Sequence, residues 1–288
     1  MQAAQLSNEN THQEGTVYYS PHAIVVLAHN FRVASGDRTL ERKSLRLLLS
    51  CNSQLSLKLD QNSHVCYGIL LAPNAHLETI DGVGSDIILI DLPITSNNYC
   101  ELSTLLAGRN SLTLPKLNDH GLTQLAIRGQ EDTLRFADVE NLVESISHHA
   151  INQQGSTHKS NRKIIDPRIQ VATERIKTTS LNDIRLKDFA REACLSADRF
   201  RHLFKEQTGA TFSYYARSYA VWKTLALRET NQRLTEACLA AGFYDLSHFY
   251  RAYYETFGVY WKENNNVRKL KRVRFYETLV SETLVSEN

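Results

Sequence analysis

The chain has 288 residues, 42% of them hydrophobic, with 33 Lys and Arg against 31 Asp and Glu. That length accommodates two domains with separate cores, and that composition excludes wholesale disorder. The longest apolar runs, AIVVLA and IILI, fall far short of a membrane span, and the opening MQAAQLSNENTHQEG lacks the basic and apolar regions of a secretory signal, so a soluble, cytoplasmic protein with no membrane partner is expected.

In chain order, residues 1–15 read as a polar, disordered leader. Residues 16–95 then carry short runs rich in Val, Ile, Leu, Tyr and Thr: TVYYS, HAIVVLAHNF, SLRLLLSCN, LSLKLD, HVCYGILLAP, AHLETID and DIILIDL. Their brevity, their partial alternation and the Asn, Gly, Asp and Pro clusters between them predict an antiparallel β-sandwich or barrel. From about Asn97 the pattern turns helical. NYCELSTLLAG predicts a short helix closed by Gly108, and TLRFADVENLVESISHHAIN a longer one with Phe136, Val139, Leu142, Val143 and Ile146 on one face. That stripe either packs on its own sandwich or forms the seam of a homodimer. The first domain therefore spans 16–152.

QQGSTHKSNRK, residues 153–163, has no apolar residue and reads as a linker. The second domain, 164–267, is all helical by pattern. Asp166 caps a helix that has Pro167 in its first turn and buries Ile169, Ala172 and Ile176. Residues 268–288 are assigned as a tail, in which ETLVS occurs twice in succession without an assigned role. The five cysteines are scattered and never in a Cys-x-x-Cys spacing, which argues against a disulfide framework or a zinc knuckle and reads as buried free thiols. Cys194 and Cys238 are expected to fill core space.

Within the second domain LKDFAREACLSADRFRHLFKEQTG, Leu186–Gly209, aligns with LTEACLAAGFYDLSHFYRAYYETFG, Leu234–Gly258. Leu186 matches Leu234, Ala190 matches Cys238, Ala193 matches Ala241, Phe200 matches Phe249 and Phe204 matches Tyr253, with one extra residue in the second copy after the turn. Each copy has the pattern of a helix-turn-helix, at about 185–207 and 233–257, and TFSYYARSYAVWKTLALRETN joins them as a long amphipathic helix. Ser196 and Asp245 are the expected caps of the second helices. The outward sets are Asp198, Arg201, His202 and Lys205 in the first copy, and Leu246, Ser247, His248, Tyr250 and Arg251 in the second.

Charge agrees with a polyanionic partner. Residues 162–276 hold 22 Lys and Arg against 12 Asp and Glu, whereas the remainder is acidic. Arg donors suit the O6 and N7 acceptors of guanine, Ser, His and Asp meet other base edges, and Leu246 is placed to meet a thymine methyl.

The two copies, and above all the AGF…D…SHF…R…FGV signature, resemble the DNA-binding domain of the AraC/XylS family of bacterial transcription regulators. The resemblance covers about 100 residues. It implies a multidomain α+β protein with a cupin-like sensor barrel followed by two helix-turn-helix units. By motif position it implies base reading by Asp198, Arg201, His202, Ser247, His248 and Arg251, and as partners promoter DNA, RNA polymerase and a small-molecule effector. Tyr260 and Trp261 depart from the family pattern, which has a small residue and Pro after FGV. No cofactor is expected, because His76 and Glu78 alone match the His-x-His, Glu, His set of metal-dependent cupins; the effector-binding residues are not assigned. The alternative is a cupin-type enzyme with an accessory DNA-binding domain. A DNA-repair methyltransferase would need a Pro-Cys-His-Arg segment, which the sequence lacks.

Overall fold

The computed structural model describes residues 14–20, 23–33, 43–131, 133–152, 166–229, 233–257, 261 and 272–275. Residues 1–13 of the leader, the linker at 153–163 and the duplicated ETLVS lie outside these residues, while the last two residues assigned to the leader, Glu14 and Gly15, begin the first strand.

The first domain is built on β1 (Glu14–Ser20), β2 (Ala23–Val33), β3 (Leu45–Ser50), β4 (Leu55–Leu59), β5 (Asn62–Cys66), β6 (Gly68–Leu71), β7 (Leu77–Leu92) and β8 (Ser111–Leu114). Pairings among these eight are antiparallel, in the order β8-β6-β3-β7-β2-β1, with β4 and β5 branching from β7. Alternation along the strands sorts side chains onto two faces. Val17, Tyr19, Ile24, Val26, Leu48, Ile69 and Ile87 bury themselves on one face. Tyr18, Val25, Leu27, Leu47, Leu49 and Ile90 are buried on the other, under α1 (Tyr99–Leu106), α2 (His120–Gly129) and α3 (Phe136–Asn152).

α1 ends as its sequence predicts, with Ala107 and Gly108 both at positive φ. On α3 the question of the apolar stripe is answered. Val139, Leu142 and Ile146 have no exposed surface and Val143 has 7%, all packed on their own sheet, while Phe136 is half-buried. The stripe is therefore packed inside its own domain.

Several boundaries differ from the sequence reading. HVCYGILLAP is divided between β5 and β6 at Tyr67, while AHLETID and DIILIDL join into the single strand β7, whose first half pairs with β4 and second half with β3. β8 and α2 occupy a stretch read without a strand or a second helix. Within the tail, Arg272–Phe275 forms β9, which pairs parallel with β1 from Thr16↔Arg272 to Tyr19↔Phe275. The C-terminal end thus adds to the edge of the N-terminal sheet, the one parallel pair among the described strands.

The second domain comprises α4 (Pro167–Thr178), α5 (Leu186–Glu192), α6 (Ala197–Thr208), α7 (Phe212–Glu229), α8 (Leu234–Ala240) and α9 (Leu246–Phe257). Asp166 caps α4 as expected, its carboxylate accepting from the Arg168 N–H at 3.0 Å. α7 is the spine. Its first half, with Phe212, Tyr215 and Tyr219, packs with α4, α5 and α6; its second half, with Val221, Trp222 and Leu225, packs with α8, α9 and the sheet. Tyr19 of β1 faces Trp222 at 6.4 Å between ring centroids, so the two domains share one apolar core.

Candidate nucleic-acid interface

The two helix pairs close through the same turn. In the first, N–H groups of Ala193, Cys194 and Leu195 donate to the carbonyls of Phe189, Arg191 and Ala190 at 2.9–3.0 Å. In the second, those of Ala241, Gly242 and Phe243 donate to Ala237, Leu239 and Cys238 at 2.9–3.0 Å. Both turns place one residue in the left-handed region, Cys194 at φ 52° and Gly242 at φ 90°. Gly242 fits for a further reason: a Cβ there would lie 2.5 Å from the Leu181 nitrogen. Cys194 is exposed, which corrects its reading as a core residue, because the left-handed turn carries its side chain outward. Cys238 is a core residue, and burial pushes its thiol up to about 11.

The extra residue of the second copy is Tyr244, 89% exposed between Phe243 and the cap. Beyond it the helices restart in register. Ser196 Oγ accepts from the Arg199 N–H at 3.3 Å, and Asp245 Oδ1 from the His248 N–H at 2.7 Å, each satisfying a free donor of the first turn. α6 buries Phe200 and Phe204, and α9 buries Phe249, Ala252 and Tyr253.

The remaining face of each helix carries the expected readers. Asp198, Arg201 and His202 are exposed on α6; Ser247 and Arg251 are exposed on α9. Leu246 and His248 are half-buried. Leu246 leans on the inner cluster, and the His248 ring meets Phe243 edge-on at 5.1 Å. The shared register pairs Asp198 with Ser247, Arg199 with His248, Arg201 with Tyr250 and His202 with Arg251. Arg199, exposed in the first turn, is a station the sequence reading passed over; carrying His248 back across the one-residue shift finds it.

Trp261 packs edge-on against Phe249 at 5.6 Å and Tyr253 at 5.1 Å, with the Arg228 guanidinium over its ring at 5.3 Å. An aromatic at this station thus closes the base of α9. Tyr260 lies outside the described residues.

A cleft of 560 Å³ lies where residues 94–97 and Cys100 of the first domain meet α4, α6 and α7. Thr95, Asn97, Gln170, Lys177, Gln207 and Tyr215 are among its walls. Lys177 is paired with Glu174 at 2.8 Å, burial raises the Tyr215 phenol so that it stays a neutral donor, and the buried Thr95 hydroxyl has no partner among the described residues. Glu78 is committed to Lys58 at 2.8 Å, and among the described residues no group of three His, Cys, Asp or Glu is placed to hold a metal. Nor, among them, is any helix long and apolar enough to cross a membrane.

Two helix-turn-helix units at the ends of one spine helix define a DNA-binding protein. The family model described as a helix-turn-helix domain matches residues 189–263, so this part of the chain is a helix-turn-helix DNA-binding domain. Among solved structures, ToxT from Vibrio cholerae O395 is similar at 13% identity, over 87% of this chain and 99% of that one, with a TM-score of 0.48. Wild-type ToxT from Vibrio cholerae strain SCE256, with an unsaturated fatty acid bound, is similar at 11% identity, over 87% and 96%, with a TM-score of 0.43. The AraC-like transcriptional activator CuxR is similar at 14% identity, over 75% and 83%, with a TM-score of 0.35. No curated protein sequence matches the chain significantly.

Proposed function

We propose that the chain is an effector-responsive transcription activator, working in the cytoplasm, that reads two successive major grooves of promoter DNA with α6 and α9. The observation that carries this is the shared turn and register of the two units. Each presents its second helix with the aromatic side buried and the polar side outward. The 18 residues of α7 span about 27 Å, close to the roughly 34 Å of one duplex turn. Asp198, Arg201, His202, Leu246, Ser247, His248 and Arg251 are the proposed readers.

The interdomain cleft supports the effector part of this reading. Its volume lies within the usual range for small-molecule sites, and its walls come from both domains, so an occupant would alter how they pack. The family resemblance supplies RNA polymerase as the further partner and activation as the sign.

The test is a hydroxyl-radical footprint of the full chain on a duplex selected from a random pool. Two protected blocks about one helical turn apart are expected on one face. A single block would mean that only one helix reads.

A further inference from the structure

The first recognition helix carries a feature the second lacks. On α6 the carboxylate of Asp198 receives a hydrogen bond from a terminal nitrogen of Arg201, three residues on. At the equivalent stations α9 has Ser247 and Tyr250, which form no such pair. Both members stay accessible, the Asp198 side chain at 81% and that of Arg201 at 52%. Asp198 is also a negative charge in the first turn of a face on which Arg199, Arg201, His202 and Lys205 are exposed, with Glu206 the other acid, in its last turn. Beside phosphates such a charge opposes binding unless it does something else.

Chemistry separates two roles for it. A carboxylate only accepts, so as a base reader Asp198 would need the amino group of cytosine or adenine. One of its two oxygens, Oδ1, is already directed at Arg201, so a base contact would fall to what remains of its accepting capacity. Arg201 has five donors in a rigid fork, and sharing one leaves enough for the O6 and N7 of guanine. Holding the fork beforehand also removes rotamer freedom that would otherwise be lost on binding.

We propose that Asp198 is a positioning residue: it does not read a base but fixes the guanidinium of Arg201 to read a guanine. This rests on the two-helix reading above, and it changes the part given to Asp198 there. It has a sign that a simple contact lacks. Removing the carboxylate weakens binding to the selected site while strengthening binding to random sequence, because a repulsive charge is lost as well.

The experiment is a double-mutant cycle on the full chain, with Asp198→Asn, Arg201→Ala and the double variant, each measured on a duplex selected by the wild type and on a scrambled duplex. Asp198→Asn should lose about tenfold on the selected duplex and gain about two- to threefold on the scrambled one. In the Arg201→Ala background it should cost nothing further on the selected duplex. Sites reselected by Asp198→Asn and by Arg201→Ala should lose preference at the same base pair. Losses that add across the cycle, or two different relaxed base pairs, would overturn the proposal and make Asp198 a reader in its own right. If the wild type selects no consensus at all, the two-helix reading falls, and this proposal with it. Both side chains are exposed, and unchanged circular dichroism would establish that the variants fold.

Discussion

At the scale of single residues, the two copies reach the same left-handed turn with different amino acids. Gly242 adopts φ 90° without steric penalty, whereas Cys194 holds φ 52° with a Cβ that crowds the following carbonyl. Because Cys194 is exposed and free, Cys194→Gly should lose no core packing and should raise unfolding stability by about 0.5–1 kcal/mol, the relief of strain exceeding the added chain entropy. Gly242→Ala should do the reverse, since its Cβ would meet the Leu181 nitrogen and the Ser180 hydroxyl, each at 2.5 Å. Urea denaturation of both variants is the measurement. A Cys194→Gly variant that unfolds earlier than the parent would show that the thiol makes a contact outweighing the strain.

At the scale of elements, local pattern carried far where pairing is local and failed where it is remote. Helices α4, α6 and α9 were legible because cap, buried stripe and outer polar set recur at helical spacing, and the repeat fixed the turns between them. The candidate readers were legible for the same reason: they are what remains once Phe200, Phe204, Phe249 and Tyr253 are turned inward. The ion pair between Asp198 and Arg201 was not, since spacing permits it without requiring it. β7 was read as two strands because Gly82 and Gly84 look like a break, although Gly82 stays paired with Phe31. β8 has only four residues, and β9 meets a partner more than 250 residues earlier, a distance at which no local pattern reports.

On α3, periodicity established an apolar face but not what would cover it; its own sheet does. Leu142→Glu should therefore place an unpaired charge among buried aliphatics and cost about 3–5 kcal/mol. The expected result is loss of the cooperative transition in circular dichroism. A folded variant whose only change is a smaller sedimentation coefficient would instead put this face in a subunit interface.

At the scale of the whole molecule, the basic surplus, the repeat and the shared core belong to one arrangement. The spine α7 is held at one end by the first helix pair and at the other by the second pair and the sheet, with Trp222 beside both Tyr19 and Phe257. Strand β9 returns the chain beyond the second pair to the edge of that sheet. The contact of Tyr19 with Trp222 thus places the first domain against the one helix that both helix pairs share.

The central claim is that both helices read sequence, and the most direct measurement is the affinity of full-length Arg201→Ala and Arg251→Ala for a selected duplex and a scrambled one at fixed salt. Each substitution should lose about 1–3 kcal/mol on the selected duplex and only about two- to threefold on the scrambled one, the share owed to a single charge, because base contacts discriminate where phosphate contacts do not. Equal losses on both duplexes would contradict the account, reducing these arginines to phosphate contacts and leaving the outward faces of α6 and α9 without a reading role.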